Sequence, residues 1–437
     1  MKYYSTNHKA PLAALEEAVT HSLAPDRGLY MPERIAKMPD SFFAEIQDMT
    51  FQEIAFEVAK TFFAEDIKVS ELKAIVADAL TFDCPVVEVG KDIWSLELFH
   101  GPTLAFKDVG ARFMARMLGH FVKNGSYTGA GKINVLVATS GDTGSAVANG
   151  FLDVDGVHVY VLYPKGKVSP MQESQFATLG QNITAIEVDG TFDDCQSLVK
   201  EAFADTGLNS KLMLTSANSI NVARLLPQAF YYFNAYALMK KKGLADELVI
   251  SVPSGNFGNI TAGLIAKRMG LPIKRFIAAN NANDVFLNYL NTSKYVPRPS
   301  IQTVANAMDV GAPSNFARVI DLYGGSHDAI CSDISGAAYS DKQIMQAMAC
   351  CLKRNDYLPD PHGACAWQAL IDGIKPGEVG LFLETAHPAK FATIVERATN
   401  VRIDIPQRLA AFSTRQKLSI PMRADYNDFK HLLEADC

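Results

Sequence analysis

Short apolar runs alternate along this chain with stretches in which apolar residues recur every three or four positions. This is the pattern of strands and helices in a parallel sheet covered on both faces. A first series places strands at 133–138, 157–162, 183–188 and 211–215. Helices are expected from Ser145, from about Ser169, after Phe192-Asp193-Asp194-Cys195, and over a long stretch carrying Arg224 and Gln228. A second series opens with a strand at 248–252, turns through Pro253 to Asn259 and enters a helix at Ile260. It continues with a strand at 273–278, an amphipathic helix at 342–353 and a strand at 379–383. Ahead of both series, Val109, Phe113, Met117 and Phe121, beside Met114 and Leu118, give the helix that starts at Lys107 a buried face. Residues up to about 80 read as mainly helical. The expected fold class is α/β, with two parallel-sheet α/β domains at 81–245 and 246–437 and a mainly helical N-terminal extension at 1–80.

Composition narrows the class. The chain has 437 residues, 48% of them hydrophobic, and a formal net charge of −6, with no basic run interleaved with aromatics. Nucleic acid is therefore not an expected partner. The start is polar, without the apolar core of a signal peptide, and no stretch approaches a membrane span, so the cytoplasm is the expected compartment. No dimerisation helix stands out; a monomer is expected, with a dimer the alternative. The seven cysteines form no CxxC pair and the nine histidines do not cluster, His362 and His387 standing apart, so no metal is expected. Gly129-Ala130-Gly131-Lys132-Ile133 looks like the end of a phosphate-binding loop, but Ser126 replaces its first glycine and Ile133 its Ser or Thr, so a turn is expected there.

Candidate chemistry concentrates where strands end. Lys107, in His100-Gly101-Pro102-Thr103-Leu104-Ala105-Phe106-Lys107-Asp108, stands at the mouth of an apolar helix. Apolar surroundings disfavour an ammonium and expose a neutral amine able to attack an aldehyde; an ordinary helix-start lysine in water is the other reading. Ser254 to Asn259 lines up backbone N–H groups at a helix start, suiting a phosphate or simply a strand-to-helix turn. Ser140-Gly141-Asp142-Thr143 suits a carboxylate, although the segment alone reads first as helix capping. Arg224 reads as a phosphate ligand or as a solvated helix arginine. Thr385 at a strand end offers a neutral hydroxyl, and by itself no more.

Taken together, these segments resemble the threonine synthase family of fold type II pyridoxal phosphate enzymes. The resemblance runs through Gly28-Leu29-Tyr30-Met31-Pro32, the Lys107 segment, Thr139 to Gly144 and Pro164-Lys165-Gly166-Lys167-Val168-Ser169-Pro170. It continues through Gly190 to Cys195, Asn218-Ser219-Ile220-Asn221 with Arg224 and Gln228, Pro253 to Asn259, and Thr385-Ala386-His387-Pro388-Ala389-Lys390. The pieces occur in the family's order from near residue 28 to about 390.

The resemblance implies a tryptophan synthase β-like arrangement with pyridoxal 5'-phosphate between the two α/β domains. It implies that Lys107 carries the cofactor as a Schiff base and serves as the catalytic base. Gly255, Asn256, Phe257, Gly258 and Asn259 would hold the cofactor phosphate, Thr385 would meet the ring nitrogen, and Asp142 would lie near the ring. Ser140 and Thr143 would bind the substrate carboxylate, and Asn218, Ser219, Arg224 and Thr143 the phosphate of O-phospho-L-homoserine. The implied reaction is γ-elimination followed by β-addition of water, giving L-threonine and phosphate, the last step of threonine biosynthesis. The rivals are a fold type II dehydratase or phospho-lyase giving 2-oxobutanoate, and a non-catalytic α/β metabolite sensor. Two positions depart from the family pattern: Asp142, where relatives often have asparagine, and Arg27, where glycine is expected.

Overall fold

The computed structural model describes residues 1–124 and 131–435. Its strands in chain order are β1 (Tyr3–Ser5), β2 (Tyr30–Pro32), β3 (Val86–Gly90), β4 (Ile93–Glu97), β5 (Ile133–Ala138), β6 (Val157–Pro164) and β7 (Ile183–Asp189). They continue with β8 (Met213–Ser216), β9 (Leu248–Pro253), β10 (Arg275–Asn280), β11 (Ile334–Ala338), β12 (Val379–Glu384) and β13 (Ile420–Arg423). Ser126, Gly129 and Ala130 of the loop-like stretch lie outside the described residues.

Two compact units form. The first gathers Met1–Met31, Lys107–Arg224 and Ile405–Cys437, and the second gathers Pro32–Phe106 and Leu225–Asp404. These are not the linear segments 1–80, 81–245 and 246–437. The difference comes from strand pairing: β3 and β4 precede β5 in the chain, yet β4 hydrogen-bonds to β12.

In the first unit a five-stranded sheet runs β13-β7-β6-β5-β8, every pair parallel. Its β5 is buried throughout. Leu136 and Ala138 pack with Leu198 and Ala202 of the helix Phe192–Ala204 and with Phe429 and Leu433 of the helix Tyr426–Ala435. Because side chains alternate across a strand, the intervening Val135 and Val137 face the other way, and they are buried too. A capping box starts the helix Phe192–Ala204, with Asp194 accepting from the Thr191 N–H and Thr191 Oγ1 accepting from the Asp194 N–H. The edge strand β13 carries mostly exposed residues, so no apolar alternation announces it.

In the second unit a six-stranded sheet runs β11-β10-β9-β12-β4-β3, parallel except for β3, which is antiparallel to β4. One face packs Val249, Ile277 and Phe382 against Ile344, Met348, Trp367 and Leu370 from the helices Asp341–Asn355 and Pro361–Gly373. The long helix expected to carry Arg224 and Gln228 is interrupted. Val222–Leu225 is a short α-helix, Leu226–Gln228 a 3-10 turn, and Ala229–Lys241 the following helix. Pro227 has no N–H to continue the α-helical ladder, which accounts for the break. Arg27 adopts φ 65°, a left-handed conformation that favours glycine, the residue the family pattern leads one to expect there.

Candidate active site

The first unit presents its candidate residues at the carboxyl ends of β5 and β8, neighbouring parallel strands, where open α/β sheets bind ligands. After β5 the chain turns sharply. Thr139 Oγ1 accepts from the N–H groups of Gly141 at 2.9 Å and Gly144 at 2.8 Å. Gly141 takes φ 138°, and a Cβ there would run into the Gln172 side chain, so the turn requires glycine. Asp142 then begins the helix Asp142–Phe151, buried, with its Oδ1 accepting from Gln172 Nε2 at 2.8 Å. Ser140 and Thr143 are half-buried on either side. Gln172, on the helix Pro170–Ala177, was not singled out from the sequence; the adjacent Ser169, which caps that helix, was the available signal.

After β8, Asn218 Nδ2 donates to the carbonyl of Ala138 at 3.2 Å, tying this loop to the end of β5. Ser219 lies beside it, half-buried. Arg224 is only 3% exposed, and its Nη1 donates to the Ala217 carbonyl at 2.6 Å. Burial brings its pKa down to about 10, and the charge of Asp108 opposes that fall. Asp108 is 1% exposed and follows Lys107, the half-buried first residue of the helix Lys107–Lys123. Arg224 is therefore not a solvated helix arginine; it is a buried cation whose side chain reaches back to the residue before Asn218.

The second unit brings its candidates to the carboxyl ends of β9 and β12, also neighbouring parallel strands. Gly255 and Asn256 are half-buried, and Phe257 takes φ 63° just before the helix Gly258–Arg268. A left-handed non-glycine residue is uncommon and here directs the loop into the helix. Asn259, 6% exposed, accepts from the hydroxyls of Tyr231 and Tyr232 at 2.7 Å each, which points its amide nitrogen the other way. That Nδ2 is buried without a hydrogen-bond partner. An unmatched donor beside the free N–H groups of a helix start is what a phosphate dianion would satisfy, so these residues fit the cofactor phosphate.

Thr385 follows β12 and is buried. Its carbonyl accepts from the Phe106 N–H at 2.9 Å, and the Leu104 carbonyl accepts from His387 N–H at 3.1 Å. The chain entering Lys107 is thereby paired with the end of β12. Lys390, buried, donates from Nζ to the Thr103 carbonyl at 2.9 Å and holds the same segment. Next to Thr385, burial and then the charge of Asp360 push the Glu384 carboxyl well above its ordinary range. Its Oε1 accepts from the Asp360 N–H at 2.6 Å. The Glu384, Asp360 and His362 group was not identified from the sequence as part of a site. Asp360-Pro361 at a helix start was the readable signal. Among the described residues, no group of three or more His, Cys, Asp and Glu could hold a metal ion. Nor is any of their helices long and apolar enough to cross a membrane.

Residues 81–381 match the pyridoxal-phosphate dependent enzyme family, residues 2–80 the threonine synthase N terminus, and residues 363–433 the threonine synthase C-terminal family. The chain is 42% identical over 433 residues to threonine synthase of Haemophilus influenzae, covering 99% of each chain. It superposes on the crystal structure of threonine synthase from Escherichia coli with a TM-score of 0.93 and 42% identity, covering 100% of both chains. For a pyridoxal phosphate-bound threonine synthase from Brucella melitensis the TM-score is 0.91 at 32% identity, covering 100% of this chain and 99% of that one. With this similarity spanning both units, the chain belongs to the threonine synthase family of pyridoxal-phosphate dependent enzymes.

Proposed function

We propose that this enzyme converts O-phospho-L-homoserine and water to L-threonine and inorganic phosphate. One observation carries the choice of substrate: among the described residues there are two places suited to phosphate, on two different sheets. The loop 254–259 with its unmatched Asn259 donor suits the cofactor phosphate. The turns after β5 and β8, which carry Thr143, Asn218, Ser219 and the buried Arg224 and are tied together by the Asn218–Ala138 bond, suit a second phosphate, which a dehydratase acting on unphosphorylated amino acids would not need.

In this reading Lys107 attaches the cofactor, Gly255, Asn256, Phe257, Gly258 and Asn259 hold its phosphate, Thr385 meets its ring nitrogen, and Asp142 lies near the ring. When bound, pyridoxal phosphate supplies an electron sink for negative charge at the substrate Cα. Ser140 and Thr143 orient the substrate carboxylate at the helix start. Displaced from the cofactor by the substrate's amine, the neutral Lys107 amine would take the proton from Cα and, once that proton has been handed on to the substrate's phosphate group, one from Cβ. Asn218, Ser219, Thr143 and Arg224 hold the phosphate as it leaves Cγ. Lys107 would return the Cβ proton to Cγ and, after water has added its hydroxyl at Cβ, pass the water's other proton to Cα. A neutral Thr385 hydroxyl hydrogen-bonds the ring nitrogen without adding charge there. The proposal includes a monomer in the cytoplasm, with a dimer as the alternative, and no nucleic-acid partner. Six free cysteines among the described residues fit a reducing compartment, and the net charge of −6 gives no footprint for nucleic acid.

The test is an assay of purified protein with pyridoxal phosphate and O-phospho-L-homoserine. Equimolar threonine and phosphate are expected. Release of 2-oxobutanoate without threonine would replace this reading with a lyase. Absence of any visible absorbance change on adding pyridoxal phosphate would favour a sensor.

A further inference from the structure

Beneath the phosphate loop of the second unit lies a buried pair that the reaction does not use. Asp360 is 0% exposed and His362 2% exposed, with His362 Nδ1 and Asp360 Oδ2 2.5 Å apart. His362 Nε2 accepts from the backbone N–H of Ala307 at 3.1 Å. The ring proton therefore sits on Nδ1 and is donated to Asp360, which fixes the tautomer. Ala307 belongs to the 3-10 turn Asn306–Met308, and that turn lies directly against the loop. A Cβ added at Gly255 would come within 2.9 Å of the Ala307 carbonyl oxygen and 2.6 Å of Met308 Cα. On its other side Asp360 is tied through its N–H to Glu384, the residue before Thr385.

We infer that His362, oriented by Asp360, is a positioning residue for the cofactor phosphate, setting through Ala307 the backing turn against which Gly255 is held. The inference rests on the reading that loop 254–259 binds that phosphate. It predicts a defect confined to the phosphate. Pyridoxal, which has the same ring and aldehyde without phosphate, should not sense the backing turn.

The experiment is equilibrium titration of the full-length apoprotein with pyridoxal phosphate and with pyridoxal, followed by absorbance. His362→Leu removes the acceptor, and Asp360→Asn presents a donor to Nδ1, moving the ring proton to Nε2 so that it can no longer accept from Ala307. Each is expected to weaken pyridoxal phosphate about tenfold, the scale of one hydrogen bond, and to leave pyridoxal within about twofold. His362→Gln, whose Oε1 can accept from Ala307, is expected to stay within about threefold for both. Unchanged pyridoxal phosphate affinity in His362→Leu and Asp360→Asn would overturn the inference, as would equal losses for both ligands. Should His362→Leu fail to fold, Asp360→Asn alone decides. Asn259→Asp keeps the acceptor for both tyrosines and places a carboxylate oxygen where the unmatched donor stood, so it tests the loop assignment by itself. If it loses pyridoxal phosphate affinity and the other variants do not, only the role of His362 fails. If it loses none, the loop assignment fails.

Discussion

The backbone N–H of Phe106 donates to the carbonyl of Thr385 at 2.9 Å. This one bond, with the Ala105–Ala386 bridge beside it, pairs the segment that precedes Lys107 with the residues after β12. Borohydride reduction of the holoenzyme followed by peptide mapping is expected to yield a pyridoxyl label on Lys107. Lys107→Arg should carry none and lose at least about 100-fold in turnover, the low end of what a positioned base supplies. A label mapped to another lysine would remove the basis of the proposed chemistry.

Arg224 should matter for both folding and substrate. Replacing it by methionine leaves Asp108 buried without that positive charge and removes the donor to Ala217. A loss of roughly 3–5 kcal/mol is expected from chemical denaturation, together with a raised KM for the phosphorylated substrate. A raised KM with an unaltered denaturation midpoint would mean that the guanidinium serves substrate only.

Glu384 predicts a pH dependence. Burial, then Asp360, keep its carboxyl protonated in the folded chain well above the ordinary 4.5. The unfolded chain releases that proton near 4.5, so the stabilising contribution is complete below this pH and is lost as pH rises toward the folded value. Glu384→Gln keeps an acceptor for Asp360 N–H and has no proton to release. Its stability relative to wild type should therefore improve above pH 4.5, by at most about 1.4 kcal/mol per pH unit. Parallel stability curves for the two proteins would show that Glu384 is ionised in the fold.

Gln172 holds Asp142 from a neighbouring helix. Gln172→Leu is expected to cost about 1–3 kcal/mol, because a buried carboxyl loses a donor. Thermal unfolding of the apoprotein measures it, and an unchanged midpoint would mean that Asp142 is satisfied without Gln172.

Much of the candidate site was legible residue by residue. The apolar run 133–138 and the turn Thr139 to Gly144 announce a strand, a tight turn and a helix start locally, and all three occur. The same holds for β9 and the loop 254–259, where glycine and asparagine mark the place at which the backbone must bend. Short-range chemistry of this kind depends on neighbours a few positions away, which any sequence displays. The strands β1, β2, β3, β4, β11 and β13 were not read from the sequence; β3, β11 and β13 are partly exposed or made of small residues and carry no clear alternation, while β1, β2 and β4 are short.

From the sequence alone came the two strand and helix series, the helix behind Lys107 and the family to which the chain is similar, because periodicity and motif order are properties of the chain itself. Only the tertiary structure decided that β4 joins β12, that Arg224 is buried near Asp108, and that Glu384, Asp360 and His362 form a chain of contacts reaching Ala307. Each of these depends on which distant segments share a sheet edge or exclude water together. That choice is made by long-range packing, which no local window of residues encodes.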